Sequence, residues 1–107
     1  MAAEELTVAA LQWEAGLDPA RNRAALEDYS GSADLVVLPE AFARDFGPPT
    51  DPLAPYAEAQ GGPYDTAVTA LAARSGSTVV AGMFEHSDNA DRPFNTCLLY
   101  TSDAADE

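Results

Sequence analysis

An α/β fold is predicted by three features of this sequence. Leu35-Val36-Val37-Leu38 is a partly β-branched apolar run, the pattern of a strand buried on both faces. Asp18-Pro19 marks a helix start between that run and an earlier one, and a strand–helix–strand order favours a right-handed crossover with parallel pairing. Helical spacing returns at Tyr64, Val68, Leu71 and Ala72, then stops at Ser75-Gly76 before a third apolar run. The resulting order is β-α-β-loop-α-β-β.

Each element has a local cause. Leu6-Thr7-Val8-Ala9-Ala10-Leu11-Gln12 reads as the first buried strand, followed by turn-prone residues. Asp18 supplies an N-cap and Pro19 a preset first helical position. Ala25, Leu26 and Tyr29 share an inward face, leaving Arg21, Glu27 and Asp28 largely in water. Ser30-Gly31-Ser32 ends this helix. After the second strand, Pro48, Pro49, Pro52, Pro55 and Pro63 punctuate a long, stiff connection that also holds Gly47, Gly61 and Gly62. Long loops in compact domains are usually functional. Thr78 to Phe84 forms a third strand, Glu85 to Pro93 a polar connection, and Phe94 opens a fourth strand in a hairpin.

Composition narrows the function classes. At 107 residues and 47% hydrophobic, the chain suffices for one small globular unit. A net charge of −13 argues against nucleic acid and anionic membranes as partners, since both demand basic patches. No run approaches the ~20 apolar residues of a membrane span. The Met-Ala-Ala-Glu-Glu start is acidic where a signal peptide is basic, so a soluble, cytoplasmic protein is expected. One cysteine, Cys97, allows no internal disulfide.

Glu40 carries the strongest chemical signal. Pro39 lacks a backbone donor and stops the second strand, so Glu40 emerges at a strand's carboxyl end, where open α/β sheets place their chemistry. A carboxylate beside an apolar core is costly unless hydrogen-bonded or working. On spacing alone, a surface carboxylate at a turn is the commoner outcome. Arg44 and Asp45 follow closely, and Arg44 suits a substrate carboxylate by bidentate pairing, although a solvated loop Arg has the same spacing. His86 lies near Glu85, Asp88 and Asp91, yet polar hairpin loops collect such residues without binding metal, and none is expected. Trp13 and Phe46 read as packing residues.

Taken together, several segments resemble the N-terminal part of a carbon–nitrogen hydrolase of the nitrilase superfamily. They are the first strand ending in Gln12, Asn22, Asp34-Leu35-Val36-Val37-Leu38-Pro39-Glu40 with Phe42, Gly61-Gly62-Pro63, Val79-Val80-Ala81-Gly82 with Glu85, and Phe94-Asn95-Thr96. The resemblance implies part of an α-β-β-α sandwich, residues 1–96 supplying less than half of the domain. It also implies a Glu-Lys-Cys triad, with Glu40 as the general base, a thioester intermediate, no cofactor and a homo-oligomeric parent. The implied substrates are small linear amides of the omega-amidase or deaminated-glutathione-amidase kind, with N-carbamoyl amines and nitriles as alternatives. A non-catalytic α/β binding module is the alternative of another class.

The triad is not complete in these residues. The chain has five Arg and no Lys. Cys97 directly follows Asn95-Thr96, where the family has an apolar strand residue, and is not read as the nucleophile. Residues 97–107 match the translation of a transposon-type sequencing adapter. They are therefore read as a non-native tail, with the natural sequence ending near Thr96. As given, the chain is expected to be inert.

Overall fold

The structure, a computed structural model, describes residues 5–101. Its elements are β1 (Val8–Ala10), α1 (Pro19–Asp28), β2 (Leu35–Val37), a 3-10 turn at Ala54–Tyr56, α2 (Pro63–Ser75), β3 (Thr78–Glu85) and β4 (Phe94–Tyr100). The four strands form one sheet in the order β1-β2-β3-β4. β1–β2 and β2–β3 are parallel and β3–β4 is antiparallel, so the mixed α/β layer and its hairpin match the sequence expectation.

Helix ends fall where the capping chemistry puts them. The Asp18 carboxylate accepts from the Ala20 amide at 3.0 Å, and Pro19 follows in the first turn. The carboxyl end of α1 is closed from outside: Arg74 of α2 donates to the carbonyls of Leu26 and Tyr29 at 2.9 and 3.3 Å. A cation is favoured there because the last carbonyls carry the negative end of the helix dipole. α2 starts without a capping side chain of its own. Glu58, six residues before Tyr64, accepts that residue's amide at 2.8 Å instead. Gly76 ends α2 with φ 69°, a conformation glycine adopts without strain.

The core lies between the helices and one face of the sheet. Val36, Val79, Ala81, Met83 and Leu98 from the strands meet Leu26, Tyr64, Val68 and Leu71 from the helices. Within β3, burial alternates strictly from Thr78 to Met83, as a strand with one covered face requires.

Two expectations of burial need correction. β2 was expected to be buried on both faces, but only Val36 is fully buried and its neighbours Leu35 and Val37 are half-buried. β1 was expected to be a buried strand, yet Val8 is 50% exposed. Both helices pack on the same sheet face, so Val8, Leu35 and Val37, which alternate to the other face, are less covered; farther along β3 that face is covered, Phe84 being 3% exposed beneath Phe46. β1 is also an edge strand, which leaves one side of its ladder open.

The long connection is tied down at its far end. The Glu58 amide donates to the Phe84 carbonyl at 2.9 Å, and the His86 amide donates to the Glu58 carbonyl at 3.0 Å. This isolated parallel bridge between Glu58 and Glu85 anchors the proline-rich loop against the end of β3.

Candidate active site

Glu40 stands in a turn, residues 40–43, that leaves the carboxyl end of β2. The ladder persists one residue past the strand, since the Leu38 amide donates to the Val80 carbonyl at 2.9 Å. Pro39 then has no amide to give, and the chain bends across β3. Ala41 takes φ 52°, the left-handed region that costs a non-glycine residue ~1 kcal/mol or more, and it is completely buried. The bend fits because β3 carries glycine beneath it. A methyl group on Gly82 would lie 2.9 Å from the Ala41 nitrogen, closer than van der Waals contact permits. The Ala43 amide also donates to the Gly82 carbonyl at 3.4 Å.

Contacts from three other segments hold the turn. Asn22, buried on α1, accepts from the Gly16 amide at 3.0 Å and donates to the carbonyls of Gly16 and Ala43 at 2.9 and 3.3 Å. The Asp45 amide donates to the Gly16 carbonyl at 2.9 Å. Trp13 meets Phe42 with ring centroids 5.6 Å apart, and Phe46 meets Phe84 edge-on at 5.0 Å. Trp13 and Phe46 thus pack as expected.

The Glu40 carboxylate is exposed, so the cost of burying it does not apply and cannot identify it as functional. Its hydrogen-bond partner is Asn95 of β4, whose Nδ2 donates to Oε1 across 3.5 Å. Both residues line a hollow of about 300 Å³ together with Leu38, Pro39, Val80, Ala81, Gly82, Thr96 and Cys97. Alternation along β4 explains the grouping. Leu98 points into the core and the Thr96 hydroxyl donates to Glu85 at 2.7 Å, so Asn95 and Cys97 take the opposite face, beside Glu40.

Arg44 is placed differently from a solvated loop residue. It is 5% exposed, and its guanidinium stacks 3.5 Å from the Tyr56 ring centre. Its Nε donates to the Leu17 carbonyl at 3.4 Å and Nη1 to the Asp45 carbonyl at 3.2 Å. It does not line the hollow that holds Glu40. His86 lies beyond β3, and among the described residues no three His, Cys, Asp or Glu side chains converge as a metal cage requires.

One titratable group beneath the sheet is strongly perturbed. Tyr64 is fully buried and its hydroxyl has no hydrogen-bond partner. Burial, and then the nearby Glu58 carboxylate, push it far above its ordinary value.

Sequence reasoning assigned no role to Gly82, Asn95 or Asn22, which entered only through a resemblance. A signal existed for two of them. An isolated glycine inside a strand often marks close backbone approach, and Asn22 lies four residues before Leu26 on the inward stripe, where a polar side chain needs partners. Nothing local in the sequence pairs Asn95 with Glu40, 55 positions away.

The carbon-nitrogen hydrolase family model matches residues 7–105. The chain belongs to that family. It is 38% identical over 84 residues to two Mycobacterium tuberculosis proteins, Hydrolase MT0498 and Hydrolase Rv0480c; each match covers 74% of this chain and 29% of the relative. The chain therefore spans under a third of the length of these relatives. Among solved structures it resembles XC1258 from Xanthomonas campestris, a CN-hydrolase superfamily protein with an arsenic adduct in its active site. That likeness has a TM-score of 0.68 and 30% identity over 92% of this chain and 36% of the other.

As a carbon–nitrogen hydrolase segment, the sheet is continuous through the stretch that resembles an adapter. β4 keeps its register from Glu85↔Phe94 to Val79↔Tyr100, and Leu98 is buried in the core. Residues 102–107 lie outside the described residues.

Proposed function

We propose that these residues belong to a longer enzyme that hydrolyses small linear amides, with Glu40 as its general base. The observation that carries the reading is the placement of Glu40: at the carboxyl end of a parallel strand, on a turn held from several sides, above an open hollow. A carboxylate with this exposure can receive a proton and return it, and the laced turn keeps it in place while it does so.

In this reading a cysteine thiol and a lysine come from residues beyond this chain, which contains no Lys. Glu40 takes the thiol proton and the sulfur attacks the amide carbon, while the lysine stabilises the oxyanion that develops. The carbon–nitrogen bond breaks as Glu40 returns the proton to the leaving amine, which departs as ammonia from a primary amide. Water then gives a proton to Glu40 and adds to the thioester. The acid leaves and the thiol is restored. The scheme uses no cofactor, and the parent is proposed to be a cytoplasmic homo-oligomer. Amides of the omega-amidase or deaminated-glutathione-amidase kind are the favoured substrates, followed by N-carbamoyl amines and nitriles.

Two substitutions in the full-length gene product test this. Glu40→Gln keeps the shape of the side chain but cannot accept the thiol proton. Turnover should fall by ~10²–10⁴-fold or more with the melting temperature nearly unchanged. Unchanged turnover would rule out Glu40 as the base. Arg44→Met separates recognition from support. If Arg44 pairs with a substrate carboxylate, KM rises for acidic amides alone; if it only braces the turn, stability falls and KM does not discriminate.

A further inference from the structure

We infer that Gly82 and Asn95 are positioning residues for Glu40: the glycine admits the Glu40–Ala41 backbone against β3, and the asparagine orients the carboxylate from β4. The inference rests on the reading of Glu40 as the base and adds how its position is set.

Glu40 lies in a turn and so has no strand ladder to fix it. Its backbone is fixed by the close approach over Gly82, where any Cβ would meet the Ala41 nitrogen at 2.9 Å. The atom met is backbone, and Ala41 is fully buried at φ 52°, so it has little freedom to retreat. A methyl at position 82 therefore pushes the turn, and Glu40 with it, away from the sheet. The side chain is steered separately. Asn95 is paired in register with Phe84, two residues beyond Gly82, and its Nδ2 reaches Oε1 over the hollow that both residues line. This donor engages one carboxylate oxygen and leaves the other for a proton. Met83↔Thr96 lies between the pairs Gly82↔Cys97 and Phe84↔Asn95, and the Thr96 hydroxyl bound to Glu85 at 2.7 Å keeps β4 from sliding.

The test uses the full-length gene product with Gly82→Ala, Asn95→Ala and Glu40→Gln, measuring kcat and KM on the folded fraction beside the melting temperature. A displacement of ~1 Å costs about 10²-fold in rate, so Gly82→Ala should lower kcat by that order with KM unmoved. Asn95→Ala, on an exposed position, should keep the melting temperature and lower kcat by about three- to tenfold, the loss of one long hydrogen bond to the carboxylate. Should Gly82→Ala not fold, the Asn95 variant still decides the matter. Wild-type kcat in Asn95→Ala, or a folded Gly82→Ala at full kcat, overturns the inference while Glu40→Gln stays inactive. A fully active Glu40→Gln overturns the reading beneath it, and the inference with it.

Discussion

Tyr64 shows how a single residue can set the limits of stability without touching the site. Its ring fills the core under the sheet while its hydroxyl is left without a partner. An unpaired buried hydroxyl carries its desolvation cost uncompensated, so Tyr64→Phe should leave stability unchanged or raise it by up to ~1 kcal/mol. Denaturant melts of the two proteins check this. The same residue predicts an alkaline limit. Tyr64 is raised above its ordinary 10.0 by burial and by Glu58, so the folded state holds the proton after the unfolded state has released it. Its contribution to stability is therefore level below pH ~10 and is lost as pH rises further, because ionisation then favours the unfolded chain. In Tyr64→Phe the decline above pH ~10 should be distinctly shallower. Equal slopes would show that Tyr64 is not its source.

At the scale of elements, function depends on how separate segments are sewn to one another. Asn22 joins the loop before α1 to the turn after β2, with two hydrogen bonds to Gly16 and one to Ala43. Asn22→Leu should destabilise the chain by roughly 1–3 kcal/mol, because the buried Ala43 carbonyl loses the Asn22 donor and the Gly16 amide its acceptor. In the full-length protein it should also loosen the turn that carries Glu40. Amide exchange at Asp45, whose amide bonds to Gly16, should accelerate more than exchange in α2. Uniform acceleration would mean that Asn22 supports the fold as a whole.

At the scale of the whole molecule, the partly uncovered sheet face and the open edges dominate behaviour. Val8 and Leu99 are 50% and 63% exposed, and among the described residues both edges of the sheet are open strands. Such surfaces associate, even on a chain of net charge −13. The 107-residue chain should therefore sediment as oligomers or aggregate, and a sharp, cooperative melt from a monomer would contradict this. It should not hydrolyse amides or trap a thioester either, because members of a catalytic unit fail together and no lysine is present. The carbon-nitrogen hydrolase family match does not alter that expectation, since the matched relatives are more than three times the aligned length. No helix among the described residues is long and apolar enough to cross a membrane.

The sequence by itself determined the elements, because their causes are local. Asp18-Pro19 starts α1, Gly76 ends α2, and Pro39 stops β2 within a residue of where the ladder fails. The position of Glu40 at a strand end was legible for the same reason. Tertiary structure decided what no local pattern contains. An apolar run cannot say whether one face or two will be covered, and so β1 and β2 were expected to be more buried than they are. Glu40 and Asn95 lie 55 positions apart, and only the β3–β4 register brings them to one hollow. The fit of Ala41 over Gly82 is a contact between backbones, made by the absence of a side chain, and becomes visible only when the strands are laid side by side.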